Sequence, residues 1–261
     1  MKKPLISINI NTGSYQYFIS SLLAITSKAS SYVCVANVHM LVEAHKDPAF
    51  AKIVNNADMV TPDGMPLCIG LQLMHGTQQD RVCGMDLLPD LLTEASDKRI
   101  PVYFYGGTDE MLDKTKGYLL QNHPSLIVAG MHSPPFLPLA VSGYEREQEA
   151  KRINASGARL IFVILGCPKQ EKWMAAMKGK VNGCMIGIGG ALPVLIGLQK
   201  RAPDWMQKYS LEWLYRLIQE PKRLFKRYFI TNSTFLWLLL KAWVSKKIGR
   251  NSSKDINQAI L

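Results

Sequence analysis

The segment Leu160-Ile-Phe-Val-Ile-Leu-Gly-Cys-Pro-Lys-Gln170 decides the architecture of this chain. Six apolar residues run together without alternation, then a glycine ends the run and a helix-like stretch begins. Unbroken apolar runs suit strands of a parallel sheet covered on both faces. The same order recurs at Val102–Tyr105 before Gly106-Gly107-Thr108, and at Cys184–Ile188, which leads into Gly189-Gly190-Ala191. Leu5–Ile10, Tyr32–Ala36, Met59–Thr61 and Leu126–Ala129 are further candidate strands. Helical patterns lie between them. Asp109–Gln121 places Met111, Leu112, Thr115 and Leu119 on one side, and Tyr144–Ser156 is polar. The alternation predicts an α/β core over residues 1–199, with a Rossmann-like, mostly parallel sheet and helices on both faces.

No strand pattern returns after that core. Residues 203–248 predict two or three helices, with Pro221 suited to a first turn and Leu224, Phe225, Tyr228 and Phe229 on one apolar face. The expected organisation is a core (1–199), a basic helical appendage (200–250) and a polar tail (251–261). Charge follows this division. Lys200–Arg250 holds 12 Lys/Arg against 3 Asp/Glu, a net of +9 out of +11 for the 261 residues. A basic face confined to one end points to an anionic partner: a phosphate-bearing substrate, an acidic membrane surface or nucleic acid. Core-like apolar residues are threaded through the same stretch and no RNA-binding motif occurs, so nucleic acid is not expected. Phe235–Val244 (FLWLLLKAWV) is half the ~20 residues that a spanning helix needs and contains Lys241. It suits a membrane interface.

The five cysteines are odd in number and form no C-x-x-C pair, which argues for reduced thiols in a cytosolic setting. MKKPLISINI lacks the apolar run of a signal peptide. The histidines (His39, His45, His75, His123, His132) show no metal-ligand spacing, and no D-x-D occurs, so no metal is expected. No dinucleotide fingerprint or P-loop is present either, which disfavours NAD-dependent enzymes, nucleotide-sugar epimerases among them, and NTPases. No cofactor is expected.

Candidate ligand-binding residues fall where strands end. Gly106, Gly107, Gly166, Gly189 and Gly190 sit in strand-to-helix turns, where glycine lets backbone approach a phosphate; tight turns also need glycine for themselves. Asp63 follows a short strand in a Pro62/Gly64 turn and reads as a general base or as a turn former. Asn37 and His39 follow the second strand; His39 reads as a base or as a packing residue. Arg81 reads as a phosphate cation or as a partner of Asp86.

The block from Asn37 to Asp86, then Gly166-Cys-Pro-Lys-Gln-Glu-Lys-Trp-Met174, GIGGA and RAPDWMQKYSLEWLYRLIQEPKRLFKRY, occur in the order of the WecG/TagA/CpsF glycosyltransferases, which this chain resembles over residues 5–232. The resemblance implies metal-independent transfer of a sugar from a UDP-sugar, with inversion, to a hydroxyl of an undecaprenyl-diphosphate-linked saccharide. It implies an appendage that completes the active site and touches the inner face of the cell membrane. By motif, Asp63 matches the base. Asn37, Arg81 and Gln170 match polar active-site positions, and Arg216, Arg223, Lys226 and Arg227 match cations for the diphosphate. The teichoic-acid branch reads Thr-x-Asn-x-Glu where this chain has Val35-Ala-Asn37-Val-His39. With Ser133-Pro-Pro-Phe136 and Thr231-Asn-Ser-Thr-Phe235, that form resembles the exopolysaccharide branch, including xanthan-type glucosyltransferases. The alternatives are a UDP-ManNAc(A) transferase of teichoic-acid or common-antigen type and, from another class, a peripheral membrane-binding module without catalysis.

Overall fold

The computed structural model describes residues 1–135, 143–208 and 211–258; the side chains of Tyr144, Asp204, Lys208, Arg223 and residues from 249 onward lie outside the described set. The chain opens with an antiparallel hairpin, β1 (Lys2–Leu5) and β2 (Ile8–Asn11). It continues through α1 (Tyr15–Ile25), β3 (Ser30–Ala36), α2 (Val38–Lys46), α3 (Pro48–Asn55), β4 (Met59–Pro62), α4 (Met65–His75) and α5 (Gly84–Asp97). Then come β5 (Val102–Gly106), α6 (Asp109–Asn122), β6 (Val128–His132), α7 (Gly143–Ala155), β7 (Leu160–Ile164), α8 (Lys169–Met177), β8 (Gly183–Gly187) and α9 (Ala191–Leu195). Three helices close the chain: α10 (Asp204–Lys208), α11 (Glu212–Gln219) and α12 (Pro221–Gln258).

Six strands form one parallel sheet in the order β4-β3-β8-β7-β5-β6. β5, β7 and β8 are buried along their whole length, the expected consequence of covering both faces. One core cluster joins Leu41, Phe50, Leu67 and Trp173, from α2, α3, α4 and α8. The other joins Leu22, Leu88, Leu112 and Leu192, from α1, α5, α6 and α9. The helices following β3 and β8 therefore leave toward opposite faces. Adjacent strands that do so open a crevice at their carboxyl ends.

Two expected strands differ. Leu5–Ile10 is the hairpin, because Ile6 turns back at φ 58°. Leu126–Ala129 begins later, as β6, because Leu126 donates its N–H to His123 O at 3.0 Å and buries its side chain as part of a turn. The Asp109–Gln121 helix buries Leu112, Thr115 and Leu119 as its pattern requires. After β8 only helices follow among the described residues, and Pro221 opens α12, which extends to Gln258.

The apolar run Phe235–Val244 divides by helical face. Phe235 and Leu239 belong to the core cluster, with Leu239 against Gly70 of α4 and Leu5 of β1 close by. Leu236, Trp237, Leu240 and Val244 are exposed. No described helix is long and apolar enough to cross a membrane. The C-terminal helix is thus part of the core packing, and deleting the buried Phe235 ring carries a core-sized cost. Phe235→Ala is expected to destabilise the fold by about 3–5 kcal/mol. In urea titration the midpoint should fall with an unchanged m value.

Candidate active site

The last residue pair of the β3–β4 ladder is Ala36 beside Pro62. The next residues on both strands, Asn37 and Asp63, therefore emerge side by side. The Asp63 N–H extends the ladder by donating to Ala36 O at 2.7 Å. Gly64, at φ 129°, then turns the chain into α4. The Asn37 side-chain oxygen caps α2 by accepting from Met40 N at 3.1 Å. Its amide nitrogen is left to donate to the Asp63 carboxylate, with which Asn37 is hydrogen-bonded.

Arg81 reaches the same place from a separate segment. Val82 N–H donates to Pro62 O at 2.9 Å, which lays Arg81 along the end of β4. Arg81 donates to Glu212 of α11 at 2.7 Å and to Asp86 at 3.3 Å. Arg201 donates to Asp86 and its Nε lies 3.6 Å from Glu212 Oε1. Burial would raise the Asp86 carboxyl, but hydrogen bonds from Arg201 and Cys83 and the charges of Arg201 and Arg81 hold it below its usual value. These four residues fasten α11 to the core, with Arg216 one helical turn beyond Glu212. The Arg216 guanidinium lies against the β8 exit, with Nη2 donating to Gly190 O at 3.4 Å. A Cβ at Gly190 would meet it at 2.9 Å.

Asp63 thus sits between Asn37, Arg81 and Arg216. Burial pushes its carboxyl up to about 6, against the charges of Arg81 and Arg216 and the Asn37 hydrogen bond; Glu212 adds to the rise. A carboxylate tuned this way is ionised at neutral pH yet basic enough to take a proton from a hydroxyl. Burial first, then the Arg227 charge of α12, lowers the proton affinity of His39. Among the described residues no three His, Cys, Asp or Glu cluster as metal ligands.

The remaining sequence candidates divide. Gly189 and Gly190 lie in the crevice. Gly106 and Gly107 lie at the β5 exit, where Gly107 N–H is bonded to Ile164 O at 3.0 Å and a Cβ on Gly106 would strike that oxygen at 2.6 Å. Strand packing requires the glycine at 106, and the left-handed backbone at φ 79° favours it at 107. Gly166 N–H is taken by Gln170 Oε1 at 3.2 Å, and Gln170 is itself only 5 % exposed with its amide engaged at both ends. Lys226 is exposed, Arg227 lies over the Tyr228 ring at 5.4 Å, and the Arg223 side chain is outside the described set. Sequence reasoning did not single out Arg201, Glu212 or Glu171. Arg201 and Glu212 lie within the appendage motif, yet nothing local to either names its partner across 115 or 131 residues.

The sequence model of the Glycosyl transferase WecG/TagA/CpsF family matches residues 3–249. The chain belongs to this family and is a glycosyltransferase, which sets aside the non-catalytic membrane module. It is 28 % identical over 226 residues to a protein of Bacillus spizizenii (strain ATCC 23059 / NRRL B-14472 / W23), covering 85 % of this chain and 84 % of that one. It is 29 % identical over 202 residues to one of Bacillus subtilis (strain 168), covering 76 % and 75 %. It is 28 % identical over 207 residues to one of Staphylococcus aureus (strain MW2), covering 79 % of each. All three are named N-acetylglucosaminyldiphosphoundecaprenol N-acetyl-beta-D-mannosaminyltransferase.

The Asp63 environment makes a two-sided expectation. Its folded-state affinity for a proton is raised, so its stabilising contribution is full below the unfolded value of 3.8 and declines as pH rises through about 6. Asn stays neutral throughout. At pH 8, Asp63→Asn should melt at a higher temperature than wild type by calorimetry, while turnover falls roughly 10²–10⁴-fold. Wild-type turnover should lose a factor of ten per pH unit below about 6.

Proposed function

We propose that this chain transfers an N-acetylmannosaminyl unit from its UDP-activated form to a hydroxyl of N-acetylglucosamine carried on diphosphoundecaprenol. The names of the three relatives favour this sugar and acceptor over the exopolysaccharide transfer suggested by the Asn37-Val-His39 form. The observation that carries the reading is Asp63, with its raised proton affinity, held between Asn37 and the Gly190–Arg216 contact at the sheet crevice. The acceptor hydroxyl loses its proton to Asp63 as its oxygen attacks the anomeric carbon from the face opposite UDP. The bond from that carbon to the β-phosphate oxygen breaks, and UDP carries away the electron pair. Arg216, with Arg223, Lys226 and Arg227 of α12, neutralises the charge that grows on the β-phosphate, where fixed cations stabilise most. In this division of labour residues 1–199 hold donor and base, and residues 200–250 close the site.

The surface of α12 bears on the location. Exposed Phe225, Phe229, Trp237 and Leu240 share α12 with exposed Lys222, Lys226, Lys241 and Lys247. Apolar area beside cationic side chains is what interfacial binding to anionic lipid requires, and it supports an association with the inner membrane face beside the acceptor.

A donor screen tests the chemistry. With a lipid-diphosphate N-acetylglucosamine acceptor, UDP-N-acetylmannosamine should be used at least tenfold faster than UDP-glucose, read by mass spectrometry of the product. A preference for UDP-glucose would return the chain to the exopolysaccharide reading. Transfer should persist in excess EDTA, because side-chain cations serve the leaving group; loss in EDTA with recovery on magnesium would refute that. Full-length protein should sediment with vesicles containing phosphatidylglycerol at low salt and be released at high salt. Equal sedimentation with neutral vesicles would remove the electrostatic part.

A further inference from the structure

Gln170 and Glu171 lie beneath the crevice rather than in it. Glu171 is 0 % exposed on the first turn of α8. Its Oε1 accepts from Gln170 Nε2 at 2.8 Å, and among the described residues its Oε2 has no hydrogen-bond partner. The groups facing it are the thiols of Cys167, in the β7–α8 turn, and Cys34 of β3; the Glu43 charge of α2 acts on Cys167. Lys2 of β1 acts on Cys34, but no cation acts on the Glu171 carboxyl itself among the described residues. A carboxylate kept in such surroundings costs stability and calls for a task.

The task is visible in the amide beside it. Gln170 lies 2.8 Å from where a Gly187 Cβ would be and 3.2 Å from that of Gly189, so its amide fills the space under the β8 exit. An amide has a donor end and an acceptor end. An ionised carboxylate only accepts, so Glu171 fixes the NH₂ end to itself and leaves the carbonyl end for Gly166 N–H at 3.2 Å. The turn resting on that amide runs on to Gly190, whose carbonyl holds Arg216.

We propose that Glu171 is a positioning residue for sugar transfer: by orienting the Gln170 amide it sets the Gly189-Gly190 turn, and through it the Arg216 cation that receives the donor diphosphate. This rests on the glycosyltransferase reading of the same site. Burial pushes the Glu171 carboxyl up to about 7, against hydrogen bonds from Gln170 and Cys167. As pH falls through that value the bond from Gln170 loses its charge assistance, and the new O–H competes for the Gln170 carbonyl. Donor affinity then falls. Asp63 acts on turnover instead, and a UDP-sugar diphosphate has no ionisation of its own near neutrality.

The test is the pH dependence of kcat and of the KM for UDP-N-acetylmannosamine in wild type and Glu171→Gln, with melting temperatures alongside. The substitution removes the charge and keeps the shape. In wild type the KM should rise as pH falls through about 7, while kcat declines only near 6. In Glu171→Gln the KM at pH 8 should be about fivefold higher, the effect of loosening one hydrogen bond, and should no longer depend on pH near 7. The melting temperature at pH 8 should not fall, since Glu171 ionisation opposes folding above about 7. A Glu171→Gln protein with the wild-type KM and the wild-type inflection overturns the proposal while leaving the enzyme's identity intact. So does a variant whose KM rises only together with a lowered melting temperature. Wild-type protein that transfers sugar from no UDP-sugar overturns the underlying reading and the proposal together.

Discussion

The ion-pair knot of Arg81, Asp86, Arg201 and Glu212 is the contact on which the candidate site depends. It is the charged connection between the helical C-terminal part and the end of β4. Two cations and two anions make it neutral overall, which lowers the cost of partial burial. The pair from Arg81 to Glu212, at 2.7 Å, holds α11 against the core. Arg216 follows Glu212 by one helical turn, so whatever holds Glu212 aims Arg216 at the crevice. The knot does a second thing. Burial raises the Asp63 carboxyl more than the Arg81 charge lowers it, and the Glu212 charge that the knot brings close adds to the rise.

Two carboxylates are therefore held at a cost in one small region. Asp63 is raised to about 6 and Glu171 to about 7, both by burial first. A protein selected only for stability would replace each with a neutral residue. They stand in different places: Asp63 beside the Asn37 amide at the crevice, Glu171 beneath the glycine turn whose Gly190 carbonyl meets Arg216. Asn37 links structure and chemistry in one side chain, capping α2 with its oxygen and bonding Asp63 with its nitrogen.

Much of the fold was legible in the residues. The unbroken apolar runs at 102–105, 160–165 and 184–188 became the buried middle of the sheet, and the amphipathic pattern of 109–121 became α6. Misreadings arose where local pattern competes with backbone geometry. Leu5–Ile10 is apolar enough for one strand, but Ile6 takes a left-handed conformation and folds it into a hairpin. FLWLLLKAWV reads as one interfacial run because hydropathy averages over a helix. Only packing reveals that Phe235 and Leu239 turn inward while Trp237 and Leu240 turn outward.

The site was legible by residue type more than by role. The sequence by itself determined the parallel α/β core, the concentration of positive charge after residue 200, the place of Asp63 after a strand, and the family motifs. These depend on spacing and composition, which are local. Tertiary structure alone decided that Arg81 is paired with Glu212 across 131 positions, that Gln170 is buried under a turn rather than open to a ligand, and that Gly106 serves strand packing. Strand order decided which loops converge: β3, β4 and β8 are neighbours in the sheet although about 120 residues separate β4 from β8. Hydrogen-bond partners, burial and the proton affinities that follow are properties of that convergence, and no stretch of chain carries them separately.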